Sequence, residues 1–185
     1  PSDEERTNNV LAIQAALDAA FEAGGGTVLF PPGVYYTNDR VGYFIDFDVN
    51  CPVILRGLSQ ITMIYSNNDS ACVLGFMTTD GNIRDVTVID LMLHGGREGL
   101  LLYNCDYSVF ERIWGWGSKN FSFQCQFCVG VDFVDCCFDE SAQGNATGVE
   151  ADAVLLVSCE AEFNEGTRLG EFCVGIVMSN GYNQI

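Results

Sequence analysis

Basic residues are scarce in this chain, and their scarcity limits its partners. The 185 residues contain 8 Lys+Arg against 25 Asp+Glu, which gives a formal net charge of -17. A field of that sign repels the phosphate backbone of nucleic acids and the anionic surface of membranes. Long apolar runs are also absent, because no segment approaches the roughly 20 residues that cross a bilayer. We therefore predict a protein that binds no nucleic acid and does not insert into a membrane.

Histidine is nearly absent too, which argues against a metal centre. His94 is the single histidine, and the Cys-x-x-Cys pair of Cys125 and Cys128 has no second pair at zinc-binding spacing. We expect no metal and no cofactor. Nine cysteines form an odd set that cannot all pair within the chain: Cys51, Cys72, Cys105, Cys125, Cys128, Cys136, Cys137, Cys159 and Cys173. They fit small buried apolar groups better than a disulfide framework, and both interpretations stay open.

One helix is predicted, near the amino terminus. Between residues 7 and 23, apolar residues recur at the spacing of an amphipathic helix, with Thr7 or Asn8 as the expected N-cap and Gly24 to Gly26 as the stop. The rest of the chain consists of short segments that alternate apolar and polar residues between Gly, Asn, Asp and Ser. That pattern is typical of many short strands.

A repeat organises these strands. The segment VTVIDLMLHG starts at Val86, and similar segments start at Ser108, Val131 and Leu156, so that the steps are 22, 23 and 25 residues. In each copy the residues at the first, third, sixth and eighth positions are suited to a buried interior. The alternation changes phase between the third and sixth positions, which implies a bend between two short strands. A third apolar patch follows each copy. Three short strands per repeat describe one coil of a parallel β-helix. An antiparallel sandwich is the main competing fold, and leucine-rich repeats lack their framework residues here.

The start of the chain resembles a known entry into this fold. The segments AIQAALDAA and GGGTVLFPPGVYY are similar to the amino-terminal entry of the pectate-lyase-like superfamily of right-handed parallel β-helices, which includes polygalacturonases, pectate lyases and phage tailspikes. The resemblance implies an all-β, single-stranded solenoid with an N-terminal capping α-helix. Residues 1–185 would form one domain, with the capping helix at 7–23 and coils over 27–185. The first strand would be residues 27–30, and residues 31–35 would be the stop that follows it.

Two departures from the family pattern suggest a fragment. Many relatives carry a DFGA-x-GDG-x-x-D segment upstream of the helix, where this chain has PSDEERTNN. The sequence also ends at Ile185, directly after a strand-like patch. Because the open end of a solenoid exposes apolar interior and unpaired backbone, we expect either a partner chain over that end or a longer protein.

Stacking the copies brings acidic residues together. The fifth positions are Asp90, Arg112, Asp135 and Glu160, which predicts an ion-pair ladder around Arg112 and two adjacent carboxylates at Asp135 and Glu160. Asp132 lies across the bend from Asp135, and Glu111 lies one coil away. Paired carboxylates suit the general acid and base of an inverting glycosidase. The candidate catalytic residues are therefore Asp132, Asp135, Glu111 and Glu160. The alternative is that acids stack on a repeated scaffold without a catalytic role.

An aromatic and polar column lies beside the acids. The ninth positions are His94, Trp116, Asp139 and Asn164, and Trp114 also points outward. Indole faces on a flat sheet suit the apolar face of a sugar ring, so Trp114, Trp116, His94 and Asp139 are the candidate substrate-binding residues. The alternative is that the tryptophans pack against a neighbouring chain or under a loop.

We expect a virion-associated or extracellular protein that resembles a phage tailspike or fibre and binds a neutral or weakly charged polysaccharide. If the protein is an enzyme, we expect it to hydrolyse that polysaccharide. Polygalacturonase motifs are absent, so pectin chemistry is disfavoured, and a glycoside hydrolase is favoured over a polysaccharide lyase. The alternatives are a non-catalytic structural module of a viral particle and a secreted enzyme that degrades cell walls. The expected protein partners are two further copies in a homotrimer, or neighbouring virion proteins.

Overall fold

A computed structural model describes residues 1–58 and 61–138, together with the backbone of four short strands at 146–147, 155–157, 160–161 and 176–177. In chain order the strands are β1 (Gly26–Leu29), β2 (Gly33–Thr37), β3 (Val41–Ile45), β4 (Val49–Asn50), β5 (Val53–Arg56), β6 (Thr62–Ser66), β7 (Leu74–Thr78), β8 (Ile83–Arg84), β9 (Thr87–Ile89), β10 (Met92–Gly95), β11 (Glu98–Tyr103), β12 (Cys105–Asp106), β13 (Val109–Glu111), β14 (Trp114–Trp116), β15 (Phe121–Gln126), β16 (Asp132–Val134), β17 (Cys137–Phe138), β18 (Ala146–Thr147), β19 (Leu155–Val157), β20 (Glu160–Ala161) and β21 (Ile176–Val177).

A single helix, α1 (Asp3–Glu22), precedes the strands. It starts four residues before the predicted boundary, because the N-cap is Ser2 and not Thr7 or Asn8. Ser2 Oγ accepts a hydrogen bond from Glu5 N, and the Glu5 carboxylate accepts one from Ser2 N, so this capping box satisfies backbone donors at the helix start. Three acidic residues in the first turn add a favourable interaction with the helix dipole. Among the described residues, no helix has both the length and the apolarity to span a bilayer.

The strands form four parallel sheets that the chain visits in turn. Sheet A has the order β1-β5-β9-β13-β16-β19-β21, sheet B the order β2-β6-β10-β14-β17-β20, sheet C the order β18-β15-β11-β7-β3, and sheet D the order β12-β8-β4. Every strand pairing that the structure describes is parallel. Successive turns of the chain therefore stack as coils, and the fold is the predicted right-handed parallel β-helix with an amino-terminal capping helix.

The register of sheet A gives the length of each coil. Its register pairs Val28 with Leu55, Leu55 with Val88, Val88 with Phe110, Phe110 with Phe133, and Phe133 with Leu156. The two steps from Val88 to Phe133 equal the first two steps of the predicted repeat, which are confirmed. The step from Phe133 to Leu156 is shorter than the last predicted step by two positions, so that step is wrong. Each of the first three coils also has a fourth strand, the short strand of sheet D, beyond the three that were predicted.

The interior is a column of apolar side chains, closed at one end by α1. Phe76, Phe110 and Phe133 are fully buried, and the rings of Phe110 and Phe133, on successive coils, stack with their centroids 5.2 Å apart. At the amino-terminal end, Leu17 of α1 is fully buried, and its carbonyl accepts a hydrogen bond from Tyr43 Oη. The helix thus covers apolar interior that would otherwise meet water.

Candidate functional site

Single residues in the left-handed conformation make the corner between sheets A and B. Asp90, Arg112 and Asp135 have φ values of 59°, 52° and 52°, and each lies between a strand of sheet A and a strand of sheet B. This corner is the bend predicted from the change of phase in the repeat. It projects the three charged side chains outward from successive coils, at the edge of sheet B.

Arg112 joins two of the acids at this corner. Its Nε lies 2.6 Å from Asp90 Oδ1 and its Nη2 lies 3.1 Å from Asp90 Oδ2, while its Nη1 contacts the Glu111 carboxylate. The hydrogen bonds from Arg112 lower the pKa of Asp90. The predicted ion pair between Arg112 and Asp90 is therefore observed, whereas the second partner of Arg112 is Glu111 and not the predicted Asp135. The Glu111 carboxylate is thus held next to a positive charge.

Three of the four candidate catalytic residues lie on neighbouring coils. Glu111 pairs with Val134 across sheet A, which places Glu111 alongside the segment that carries Asp132 and Asp135. Asp132 is half-buried on sheet A, and Asp135 is exposed at the corner. A general acid, a base and a sugar could meet at this edge, but the roles of the three carboxylates stay predictions.

Glu160 is not the neighbour of Asp135. Strand β20 places Glu160 beside Cys137, two positions further along the coil than predicted. The last predicted step was wrong because a slip by two positions keeps the alternation of interior and exterior side chains, so the apolar pattern cannot detect it. The side chain of Glu160 and all of Asp139 lie outside the described residues.

Apolar and aromatic side chains cover the outer face of sheet B in two columns. One column, which we call the apolar column, contains Val34, Met63, Met92 and Trp114, in register on β2, β6, β10 and β14. Trp114 and Val34 are 38% and 44% exposed, so the apolar column meets solvent. An outer face of a sheet without a covering element is normally polar, so this apolar column is a candidate binding surface.

The second column, which we call the aromatic ladder, consists of Tyr36, Tyr65, His94 and Trp116. Neighbouring ring centroids are 5.4, 5.0 and 4.9 Å apart along the ladder. The guanidinium of Arg6 lies 5.3 Å from the centroid of Tyr36 and 5.7 Å from that of Tyr65. The predicted alignment of His94 with Trp116 is therefore observed. The rings pack against one another, however, and of the two tryptophans Trp114 is the more exposed.

His94 is held tightly inside the ladder. Gly117 has a φ of +67°, and a Cβ at this position would lie 2.5 Å from His94 Cε1. His94 Nδ1 is buried and has no hydrogen-bond partner among the described residues. The ring is thus enclosed by Tyr65, Trp116 and Gly117, and its exposure to a ligand is smaller than the sequence suggested.

The sequence interpretation missed a second charged group, on sheet D. Arg84 Nη1 lies 2.9 Å from Asp48 Oδ1, and β12 places Asp106 next to Arg84. Burial raises the pKa of Asp106, whereas the hydrogen bond from Arg84 lowers that of Asp48. Both carboxylates also accept backbone hydrogen bonds from the neighbouring coil, from Val129 N and Asn82 N, which suits a structural role. The sequence could have revealed this group only through the alignment of Arg84 with Asp106 on neighbouring coils. That alignment was not detectable, because the two-residue strands of sheet D are too short to show a periodic pattern.

No group of three or more His, Cys, Asp or Glu side chains in the described part of the chain is arranged to hold a metal ion. Of the seven described cysteines, Cys51, Cys72, Cys105 and Cys128 are free thiols, and the other three are Cys125, Cys136 and Cys137. All but Cys137 are buried, in agreement with the interpretation of cysteines as small apolar groups.

No protein-family model matches this chain, and no curated protein matches it by sequence. Solved structures do match its fold. The ORF18 protein of Geobacillus virus E2 is 18% identical with a TM-score of 0.68, over 81% of this chain and 32% of the phage chain. A candidate glycosyl hydrolase from Parabacteroides merdae is 15% identical with a TM-score of 0.54, over 82% of this chain and 87% of that protein.

A third match is the A-module of the mannuronan C-5 epimerase AlgE4 from Azotobacter vinelandii, at 15% identity and a TM-score of 0.29, over 87% of this chain and 89% of the module. The chain spans about a third of the phage protein. The first two matches establish a common fold, the right-handed parallel β-helix, and this fold supports many unrelated functions.

Proposed function

We propose that this chain is part of a virion-associated β-helix protein that binds a polysaccharide along the outer face of sheet B. The observation that carries the proposal is the partly exposed apolar column, which ends in Trp114 beside the charged corner of Asp90, Arg112 and Asp135. An apolar strip next to polar and ionic groups suits a sugar polymer, because each ring has an apolar face and a rim of hydroxyl groups. The fold shared with a phage protein and with a candidate glycosyl hydrolase is consistent with this proposal.

The state of the cysteines favours a virion protein over a secreted enzyme. Burial raises the pKa of Cys51 to about 11 and that of Cys72 to about 12, so both thiols are poorly reactive once folded. During folding in an oxidising compartment, however, the nine cysteines of the chain would be open to wrong pairing. A chain with this set of thiols is better suited to fold in a reducing cytosol, as a virion protein does inside its bacterial host.

Hydrolysis is the second part of the proposal, and it requires Asp132, Asp135 and Glu111. Asp135 at the exposed corner can reach a polymer on sheet B more readily than Glu111, which is engaged by Arg112. We therefore assign the candidate acid and base to Asp132 and Asp135, with Glu111 fixing Arg112. The competing function is a structural module in which the apolar column packs against a second copy or another virion protein.

The test is binding to immobilised lipopolysaccharide and capsular polysaccharide from a panel of bacteria, with the protein's mass in solution measured alongside. Trp114→Ala should weaken binding at least about fivefold, as expected for an aromatic anchor that a ligand buries. Phe47→Ala is the matched control, because Phe47 is 51% exposed and lies away from sheet B. New reducing ends that disappear in Asp135→Asn would support hydrolysis. Equal binding by both Ala variants, or a trimer that binds no glycan, would refute the polysaccharide proposal.

A further inference from the structure

The outer face of sheet A carries little charge for so acidic a chain. Its outward side chains stand in two columns, in register on β1, β5, β9, β13 and β16. The corner column, next to the corner with sheet B, is Leu29, Arg56, Ile89, Glu111 and Val134. The flank column, two residues earlier on each strand, is Thr27, Ile54, Thr87, Val109 and Asp132. Apart from the three charged members, both columns are apolar or threonine, so the face is a candidate interface.

Both columns point outward because the residues between them fill the interior. One buried side chain separates the columns on each strand: Val28, Leu55, Val88, Phe110 and Phe133. Alternate residues of a strand point to opposite faces of the sheet. Leu29 is 57% exposed, Arg56 is exposed, and Ile89 at the middle of the face is half-buried. Association through this face would therefore remove apolar surface from water.

The order of residues in the corner column is complementary to itself. Counted from Ile89, Arg56 lies one coil towards the amino terminus and Glu111 one coil towards the carboxyl terminus. Leu29 and Val134 lie two coils away on the same two sides. A two-fold axis along β9 would thus place Arg56 opposite Glu111 of a second copy and Leu29 opposite its Val134. In such an interface each contact occurs twice, as a two-fold dimer requires.

The flank column obeys the same symmetry. An axis along β9 sets Ile54 opposite Val109 of the second copy, and Thr27, a hydroxyl donor, opposite Asp132, a carboxylate acceptor. Neighbouring registers fail this test. An axis along β5 would set Arg56 against Arg56, and one along β13 would set Glu111 against Glu111, which is unfavourable. The pattern of charge therefore selects β9.

The charges of the face are available for this pairing. Arg56 makes no ion pair within the described part of the chain, and the Glu111 side chain remains 34% exposed although it contacts Arg112. Asp85 and Asp90, on either side of β9, have φ values of 63° and 59° and lie at corners, where the chain leaves the plane of the sheet. Since the net charge of -17 opposes association, a face with few acids is the suitable one.

We propose that the outer face of sheet A binds a second copy of this chain about a two-fold axis along β9, so that the two β-helices pack with their axes in opposite directions. The proposal goes beyond the polysaccharide site, which is on sheet B and stays open in the dimer. It also gives two copies, whereas the sequence suggested three.

The size of the face indicates a weak dimer. Five strands span roughly 24 Å along the helix axis and about 13 Å along the strands. This is about 300 Å² in projection for each copy, below the ~800 Å² per partner of a standard interface. We expect a dissociation constant on the order of 100 µM. Asp132, at one end of the face, is thus open in the monomer and covered only at high concentration.

The experiment is sedimentation equilibrium of the full chain from about 10 µM to about 1 mM, in about 0.15 M NaCl to screen the net charge. We expect a reversible monomer–dimer equilibrium. Arg56→Glu and Glu111→Arg should each weaken association at least about tenfold, because each creates two like-charged pairs. The double variant should restore association to within about threefold of the parent chain, since it only exchanges the two charges. Ile89→Lys, which sets two ammonium groups together at the axis, should abolish the dimer.

Arg40→Glu is the matched control, because Arg40 is an exposed arginine outside sheet A and its replacement changes the net charge equally. It should leave association unchanged, and so should Trp114→Ala on sheet B. Circular dichroism checks that every variant is folded. A monomer at all concentrations, a trimer, a double variant that stays monomeric, or loss of the dimer in Arg40→Glu or Trp114→Ala would overturn the proposal. Polysaccharide binding through Trp114 is measured separately, and its failure would leave the dimer untouched.

Discussion

Replacement of Gly117 by alanine tests the packing of the aromatic ladder. Gly117 has a φ of +67°, where alanine costs about 1 kcal/mol relative to glycine. Its Cβ would lie 2.5 Å from His94 Cε1 and 2.9 Å from His94 Nδ1, so the ring must move. Displacing a ring packed between Tyr65 and Trp116 should cost a further 1–3 kcal/mol, roughly the range for overpacked sites. We expect Gly117→Ala to lower the free energy of unfolding by about 2–4 kcal/mol.

Gly24→Ala is a control that separates the steric cost of the Gly117→Ala substitution from its conformational cost. Gly24 has a φ of +79°, which is also left-handed, but a Cβ there would meet nothing within 4 Å. Gly24→Ala should therefore cost only the conformational term of about 1 kcal/mol. Urea unfolding followed by tryptophan fluorescence and by circular dichroism measures both variants. The difference between them is the cost of the contact with His94.

A double-mutant cycle decides whether the contact is the cause. In a His94→Ala background the ring is gone, so Gly117→Ala should cost no more than Gly24→Ala does. If Gly117→Ala has the same effect with and without the His94 ring, or costs no more than Gly24→Ala in the parent chain, the close approach does not exist and the reasoning is refuted.

Two further predictions concern charge and thiols. Because hydrogen bonds from Arg112 lower the pKa of Asp90, ionised Asp90 stabilises the fold above its ordinary pKa, and this stabilisation is lost as the pH falls through the lowered value. Arg112→Ala should reduce stability in urea at pH 7 by at most about 1 kcal/mol, since Arg112 is 43% exposed. The deficit should shrink as Asp90 is protonated in acid, and a pH-independent deficit would contradict the assignment. In a thiol titration, Cys51 and Cys72 should react only after unfolding, and rapid reaction of either in the native state would contradict their burial.

The coils were predictable from sequence because burial imposes a period. Interior positions such as Val88, Phe110 and Phe133 must be apolar on every coil, so consecutive coils of similar length repeat in the sequence. The first two coils are longer and differ in length, and they gave no detectable repeat because residues inserted at the corners shift the pattern. The N-cap was missed because Ser2 and Glu5 precede the apolar pattern of the helix, which begins only at Val10.

The sequence predicted the candidate site only where it also predicted the register between neighbouring coils. His94 and Trp116 were aligned correctly because the step between their coils is the one that the repeat indicated. Asp135 and Glu160 were misaligned because the apolar pattern is unchanged by a shift of two positions. The pairing of Arg112 with Asp90 followed from the same register, whereas its contact with Glu111 was not predicted. The close packing of the aromatic rings could not be predicted, because ring orientation depends on neighbours in three dimensions.

Ring packing has a consequence for where a β-helix can bind a ligand. Equivalent side chains on successive coils lie about 4.8 Å apart, which is close to the contact distance of aromatic rings, so a continuous aromatic column packs against itself. The aromatic ladder does this, and its ring faces are largely taken up. Trp114 lies between Met92 and Cys137, and without an aromatic neighbour in its own column its indole stays 38% exposed. Recognition should therefore concentrate at Trp114, where a column changes chemistry, and less on the ladder itself.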